Sequence, residues 1–200
     1  MQTLILIKHS LPEITPDVDA EQWRLSAEGR WHCGALAEAL APYALHSLIA
    51  SEEPKASETA QLVAAQLHIP WRTAPNLHEH DRRGAGYLGE AAFQATMRQF
   101  FAQPDELIFG RETGRQAQGR FTRAVEDVLH TEGQSNDCVA LLAHGTVITL
   151  FVATALNLDA DASYTFWRGM ALPSFVALTL DDEDGHYRIA QGWHCHSRQV

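Results

Sequence analysis

Two histidines and two lysines stand just beyond predicted strands, where their side chains are suited to act on a phosphoryl group. This set consists of Lys8, His9, Lys55 and His144. A neutral imidazole can attack phosphorus, and ammonium groups can hold the oxygens of the transferring phosphate. One or two acids gather at the same edge, with Glu79 and Asp81 on the loop after the third predicted strand, and such an acid could protonate the departing oxygen. These residue types therefore indicate phosphoryl transfer through a phosphohistidine.

The elements that must position these side chains alternate between strand and helix. Short apolar runs predict buried strands at residues 4–7, 47–50, 69–73 and 138–143. Helices are predicted at residues 26–41, 54–67, 90–102, 114–130 and 146–156. Two further strands, residues 175–180 and 186–193, flank an acidic hairpin turn. The pattern predicts an α/β fold, a three-layer sandwich whose mostly parallel sheet ends in antiparallel edge strands. Ligands of such sheets bind beyond the carboxyl ends of the strands.

Composition and charge exclude several classes of protein. The 200 residues suit a single domain, and the formal charge of −10 argues against a nucleic acid or an anionic membrane as the partner. The start of the chain lacks the pattern of a signal peptide, and no apolar stretch is long enough to predict a transmembrane helix. The three cysteines are an odd number at wide spacing, which favours reduced thiols and a cytoplasmic location.

Five short segments, in order along the chain, resemble the signatures of the histidine phosphatase superfamily, the phosphoglycerate-mutase-like proteins. The first two are Ile7-Lys8-His9-Ser10, similar to the family's Arg-His-Gly signature, and Leu25-Ser26-Ala27-Glu28-Gly29-Arg30, similar to its Leu-Thr-x-x-Gly-Arg helix start. The others are Lys55-Ala56-Ser57-Glu58-Thr59-Ala60, Leu77-His78-Glu79 and Leu142-Ala143-His144-Gly145, similar to its Arg-Ala-x-x-Thr-Ala, Leu-x-Glu and second His-Gly segments. Residues 172–176 also resemble its late Asn-x-Ser strand, so nearly the whole chain is covered.

The resemblance implies a role for each matching residue. It makes His9 the nucleophile that becomes phosphorylated, His144 a stabiliser of the transferring group, and Glu79 the proton donor to the leaving oxygen. Lys8 and Lys55 take the positions of the family's two phosphate-binding arginines.

Two further phosphate contacts are predicted beside this set. Ser10 stands where the family has glycine, and the backbone N–H of Thr146 lies at a helix N-terminus.

The departure from arginine at both positions is the main peculiarity of this chain. It has thirteen arginines and only two lysines, and those two lysines fall on the two phosphate positions. A lysine ammonium keeps the charge but lacks the planar fork with which arginine grips two oxygens. We therefore predict that Lys8 and Lys55 share one anion and that their replacement by arginine alters catalysis.

The resulting expectation is a phosphatase that hydrolyses a small phosphomonoester without metal or cofactor. The alternative is a protein of the same fold that binds a phosphorylated ligand with weak or no turnover. A single domain, residues 1–200, is expected to carry a substrate-covering insertion around residues 85–125. Glu52 and Glu53 are interpreted as surface or capping residues. A solvent-exposed loop is the default for His78 and His80, although they could also tune the acid or contact substrate. The arginines of the insertion are interpreted as surface charges that could alternatively meet an anionic substrate; they are Arg98, Arg111, Arg115, Arg120 and Arg123.

The sequence leaves several points open. They are the identity of the substrate, phosphatase against mutase activity, a homodimer against other oligomeric states, and the roles of His78, His80, His194 and His196. For the pair at the carboxyl terminus a surface or disordered tail is favoured over a metal site.

Overall fold

A six-stranded mixed sheet forms the middle layer of the protein. The computed structural model describes residues 2–86, 88–132, 138–180 and 187–194. The strands are β1 (Gln2–Lys8), β2 (Leu48–Ala50), β3 (Trp71–Thr73), β4 (Cys138–Ala143), β5 (Ser174–Leu180) and β6 (Tyr187–His194). Their order across the sheet is β3-β2-β4-β1-β5-β6. The first four strands are parallel, and β5 pairs antiparallel with both β1 and β6. The predicted sheet, with antiparallel strands at one edge, is confirmed.

Helices cover both faces of the sheet, as the unbroken apolar runs predict. They are α1 (Ala27–Leu40), α2 (Pro54–Leu67), α3 (Glu90–Ala102), α4 (Gly114–Glu132), α5 (Gly145–Ala155) and α6 (Ala160–Gly169). Ile5 and Ile7 of β1 pack into one core with α1 and α2, whereas Leu4 and Leu6 pack into a second core with the other four helices. Alternate residues of one strand therefore anchor both outer layers, which is the predicted three-layer α/β sandwich.

Capping residues start the helices that lead into the site. Ser26 accepts a hydrogen bond from the Gly29 backbone N–H at 2.9 Å, and Pro54 occupies the first turn of α2. Both features agree with the sequence prediction.

The helix α6 was not predicted. Asp159 caps it by accepting from the Ala162 N–H at 2.8 Å, so an N-cap signal was present in the sequence. Its buried residues are only Ser163 and Tyr164, which is too few to give an apolar period.

Two further expectations fall partly outside the described residues. The acidic turn at residues 181–185 lies there, and so does Cys195. Cys33 and Cys138 are free cysteines. In the part of the chain that is described, no helix has the length and apolar character needed to span a membrane.

Candidate active site

The ends of β1 and β4 bring the two predicted histidines together. The strands run parallel in a register that pairs Lys8 with Ala143, so His9 and His144 follow at the same level. The His9 N–H also donates to the Ala143 carbonyl at 3.1 Å. The two imidazole centroids lie 5.2 Å apart at an interplanar angle of 60°.

The surroundings of His9 define which of its nitrogens is free. Its Nδ1 lies 2.7 Å from the Ser10 carbonyl oxygen, which can only accept a hydrogen bond. Nδ1 therefore carries the proton, and Nε2 keeps its lone pair. Burial, helped by His144 and Lys55, holds the pKa of His9 well below its ordinary value of 6.5. The ring is therefore neutral at neutral pH and lines the cavity described below.

His144 lies fully buried beside it. Its Nε2 is 2.8 Å from the Ser51 hydroxyl and 3.6 Å from Glu53 Oε1. Its Nδ1 is buried and has no hydrogen-bond partner. Burial is the first cause of a pKa held well below 6.5, and the charge of Lys55 is the second. The second imidazole is therefore also neutral.

Lys8 is half-buried, and its ammonium has one hydrogen-bond partner among the described residues. Its Nζ donates to the Met170 carbonyl at 2.8 Å. Burial lowers its pKa from 10.5 to about 8, with Glu79 opposing the shift and Arg82 adding to it. Gly145 makes room for this side chain, because a Cβ there would lie 3.1 Å from Lys8 Cε.

Lys55 is buried, and its ammonium is paired with a carboxylate. From the first turn of α2, its Nζ donates to the Ala20 carbonyl at 2.6 Å and to the Glu53 carboxylate. The interpretation of Glu53 as a surface residue was wrong, because its side chain is only 9% exposed. Glu53 does occupy the N-cap position of α2, but its side chain makes no capping hydrogen bond there. Its other oxygen accepts from the Glu79 backbone N–H at 2.7 Å. Glu53 therefore joins the lysine to the loop that carries the proposed acid.

Glu79 is held as a carboxylate. Its Oε1 accepts from the His80 N–H at 2.8 Å, and its Oε2 from the Thr146 N–H at 3.2 Å and from Arg82 at 3.3 Å. Burial alone would raise its pKa, but Arg82, His144 and the His80 N–H together lower it from 4.5 to about 2. In the ligand-free protein this carboxyl is therefore ionised across the physiological range.

Arg82 is a site residue that the sequence reasoning missed. One Nη2 donates to the Thr146 hydroxyl at 2.7 Å and to Glu79, and the guanidinium lies 4.9 Å from the Phe93 ring centroid. Its Nε is buried without a partner. The residue lies on an irregular loop, so periodicity gives no signal for it. Its position three residues after Glu79 was the available signal.

A half-buried ion pair between Arg120 and Glu112 fixes the path of that loop. Arg120 on α4 donates to the carbonyls of Asn76, His78 and Glu79 at 2.8–3.1 Å and to the Glu112 carboxylate at 2.6 Å. The Glu112 carboxylate also accepts from the Asp81 N–H. The interpretation of Arg120 as a surface charge was therefore wrong.

His80 was also assigned to the surface, and it is instead 2% exposed. Its ring packs against Phe100 and Phe109 at centroid distances of 4.6 and 4.7 Å, and its Nε2 contacts the Glu112 carbonyl. His78 is half-buried and also lines the cavity, and burial lowers its pKa below 6.5.

Ser10 and Thr146 have partners within the protein. The Ser10 hydroxyl donates to the Gly29 carbonyl at 2.7 Å, and its N–H donates to the Thr59 hydroxyl at 3.0 Å. Ser10 therefore joins β1 to α1 and α2, and its hydroxyl is directed toward α1 rather than presented to a ligand. The Thr146 N–H and hydroxyl contact Glu79 and Arg82, as given above. Thr146 thus stands at the acid, on the first turn of α5.

A cavity of about 680 Å³ opens over these groups. Its floor includes Lys8, His9, Lys55, Glu79 and Arg82. The volume lies in the range of pockets that enclose a drug-sized ligand. Within the described residues there is no group of three or more His, Cys, Asp or Glu side chains arranged to hold a metal ion. His196 lies outside the described residues.

Comparison with known proteins agrees with this architecture. The native mycobacterial glucosyl-3-phosphoglycerate phosphatase is 19% identical with a TM-score of 0.79, covering 98% of this chain and 100% of that one. YhfR of Bacillus stearothermophilus is 18% identical with a TM-score of 0.73, covering 95% and 96%. An Entamoeba histolytica phosphoserine phosphatase mutant with phosphoserine is 14% identical with a TM-score of 0.70, covering 96% of each chain. At these identities the likeness shows the fold.

The sequence comparisons supply the family. A search among curated proteins gave no match. The sequence profile of the histidine phosphatase superfamily (branch 1) matches residues 7–189, a span that includes both histidines, both lysines and Glu79. The chain therefore belongs to the histidine phosphatase superfamily.

Proposed function

We propose that this protein is a phosphatase that hydrolyses a phosphomonoester through a phosphohistidine on His9, without a metal ion. One observation carries the proposal. His9 is a neutral imidazole with an unprotonated Nε2, and it lines a cavity that also contains two lysines and a carboxyl group. A nucleophile, cations for the phosphoryl oxygens and an acid for the leaving oxygen are the parts that this reaction needs.

In the first step, the Nε2 lone pair of His9 attacks phosphorus and the bond from phosphorus to the ester oxygen breaks. The ester oxygen takes a proton from the Glu79 carboxyl and leaves as an alcohol. In the second step, water attacks the phosphohistidine and gives a proton to the Glu79 carboxylate. The bond between phosphorus and nitrogen breaks, so inorganic phosphate leaves and His9 regains its lone pair.

The proton that Glu79 donates must arrive with the substrate. With a pKa of about 2, the carboxyl is ionised before binding. A phosphomonoester near neutral pH exists partly as the monoanion, which carries one proton on phosphate. Transfer of that proton to Glu79 gives a protonated acid beside a dianionic ester, which is the state that the first step requires.

Lys8, Lys55 and His144 stabilise the three non-bridging oxygens in this scheme. Both lysines line the cavity, and His144 Nδ1 is a buried polar atom without a hydrogen-bond partner among the described residues. Donors already in place need no rearrangement when charge builds up on the phosphoryl group.

The decisive experiment compares His9→Ala with His46→Ala, a matched change at an exposed histidine. We expect His9→Ala to abolish hydrolysis of 4-nitrophenyl phosphate and to prevent acid-labile labelling by a radioactive phosphoester. His46→Ala should retain both, and a chelator should leave the wild-type rate unchanged. Full activity in His9→Ala would refute the mechanism.

A binding protein without turnover is the second candidate, and the pairing of Lys55 favours it. Glu53 offsets the charge of Lys55, and a lysine replaces arginine at both phosphate positions. In that case calorimetry would detect tight binding of inorganic phosphate while a panel of phosphomonoesters remained intact. Turnover of any ester that depends on His9 would decide for the phosphatase.

A further inference from the structure

Arg82 has the geometry of a ligand-binding guanidinium, although it lies outside every segment that resembles the family. It lines the cavity from the loop three residues beyond Glu79. Its guanidinium carbon lies over the Phe93 ring, 4.9 Å from the ring centroid. Within the described residues only Nη2 makes hydrogen bonds, to Thr146 and Glu79, while the buried Nε has no partner there. A buried N–H without a partner is costly, and a ligand oxygen would satisfy it.

We propose that Arg82 binds the phosphoryl oxygens of the substrate and so supplies the planar fork that Lys8 and Lys55 lack. This inference rests on the proposed chemistry at His9 for its catalytic meaning, but the anion contact itself does not require turnover. The contact of Nη2 with Glu79, at 3.3 Å, is the longer and weaker of its two bonds. A phosphoryl group bound at the floor of the cavity competes with Glu79 for the Nη2 hydrogen bond of Arg82.

This competition has a consequence for the acid. The charged and titratable groups that face Glu79 are Arg82, His144, Glu53 and Lys8. Of the groups acting on the pKa of Glu79, Arg82 is the strongest that lowers it. When the guanidinium turns to the phosphoryl oxygens, Glu79 loses that stabilisation and its pKa rises. Substrate binding thus prepares the carboxyl to receive a proton.

The test is calorimetric titration of the protein with inorganic phosphate. We expect Arg82→Gln to weaken phosphate binding about 100-fold and Arg82→Lys about tenfold, because lysine restores the charge without the fork. Arg83→Gln is the matched control, since it removes the same charge one residue along. The Arg83 side chain is exposed and paired with Asp81, so Arg83→Gln should change the Kd for phosphate by less than twofold.

A purely positioning role would give a different result. If Arg82 only holds Glu79, Arg82→Gln lowers kcat and leaves the Kd for phosphate unchanged, and the proposal is overturned. The Arg82→Lys variant and a urea titration separate loss of binding from loss of fold. Failure of the function proposed above would appear elsewhere, as full activity in His9→Ala.

A separate observation concerns the walls of the cavity. Above the floor they are aromatic and aliphatic, with Phe93, Phe109, Trp167 and Leu172 among the lining residues. The Phe93 ring lies 5.6 Å from Trp167 and 6.4 Å from Phe109, centroid to centroid. Three elements therefore contribute to one apolar surface: α3, the segment after it, and α6.

The rim of the cavity is acidic. Asp17, Asp19 and Glu21 line it, and the one arginine at this level, Arg83, is paired with Asp81 and lies 3.7 Å from Glu21. Among the described lining residues, the remaining lysines and arginines are those of the floor, Lys8, Lys55 and Arg82. A second anionic group on the substrate would thus meet negative charge at the rim.

From this wall and rim we infer that the substrate is a phosphomonoester of an apolar alcohol without a second anionic group. This inference rests on the proposed function. Ethyl phosphate, 2-phenylethyl phosphate and 3-phosphonooxypropanoate test it, because all three are esters of primary alcohols. We expect kcat/KM for the phenylethyl ester to exceed that for the ethyl ester by about 30-fold, from burial of the added ring. The kcat/KM for 3-phosphonooxypropanoate, which carries a carboxylate, should fall below both values.

Trp167→Ala should reduce the preference for the phenylethyl ester to a fewfold. Trp31→Ala, the same change at a residue of α1 that is 67% exposed, should keep it. A preference for 3-phosphonooxypropanoate would overturn this inference without contradicting the proposed phosphatase activity. Loss of turnover on all three esters would overturn both.

Discussion

Lys8 and Lys55 lie in one cavity and replace the same residue type, but their surroundings differ. Lys8 is the last residue of β1 and bonds to one carbonyl, so its charge is left largely uncompensated by direct contacts. Lys55 begins α2, bonds to a carbonyl and pairs with the buried Glu53. A desolvated ammonium without a counter-ion is destabilising, whereas removal of one partner from a buried pair leaves the other partner buried and uncompensated. The first arrangement favours anion binding, and the second favours the structure of the site.

The largest expected effect separates activity from stability. Lys8→Met should lower kcat/KM about 1,000-fold, because it removes an unpaired cation from the phosphate site. The free energy of unfolding should change by less than about 1 kcal/mol, since loss of a desolvated charge offsets loss of one hydrogen bond. Phosphatase assays and urea titration measure the two quantities. A loss of more than about 3 kcal/mol would make Lys8 a structural residue instead.

For Lys55 the main expected effect is on stability. Lys55→Met should lower the free energy of unfolding by about 3 kcal/mol, because Glu53 stays buried without its cation. The double variant Glu53→Gln/Lys55→Met is the matched control and should recover most of this loss. If the single and double variants are equally destabilised, Lys55 does not stabilise the fold through its ion pair with Glu53.

The pKa of Lys8 predicts how anion affinity depends on pH. With a pKa of about 8, Lys8 is charged below that value and loses its proton as the pH rises through it. Sulfate stays a dianion over this range, so its affinity in calorimetry should fall above pH 8. Lys8→Arg should remove this fall, because arginine stays protonated. Lys55→Arg should preserve the fall in sulfate affinity above pH 8. If the fall persists in Lys8→Arg, a group other than Lys8 causes it.

The smallest effect comes from Gly145→Ala. The added Cβ would stand 3.1 Å from Lys8 Cε, the far end of a flexible side chain that can yield. We expect kcat/KM to decrease about threefold to tenfold with little change in stability, since Lys8 shifts while Lys55 stays. An inactive or unfolded variant would show that Lys8 has no freedom to move.

The predictable part of the site is the part carried by regular structure. His9, His144 and Lys55 were found because each stands at the end of a strand or the start of a helix in a recognisable segment. The register between β1 and β4 then places the histidines side by side. Regular elements repeat a pattern over several residues, so the sequence reveals them.

The remainder depends on contacts between distant segments. Arg82 reaches the floor because Arg120, in α4, holds the loop that carries both Arg82 and Glu79. Glu53 stands two residues before a lysine at the start of α2, an arrangement that is usual at a surface, and in the fold it accepts a hydrogen bond from the loop of Glu79. Such side chains show no period, and their burial is decided by what packs over them.

The bond from Lys8 to the Met170 carbonyl joins the two halves of substrate recognition. Met170 is the residue that ends α6, and α6 also carries Trp167 on the cavity wall. A substitution that tilts or shortens α6 would therefore disturb the wall and the ammonium together. Attempts to redesign the preference for the alcohol through α6 should change the turnover number along with selectivity. Redesign through Phe93 on α3 leaves this bond to Lys8 in place and is the safer route to a new specificity.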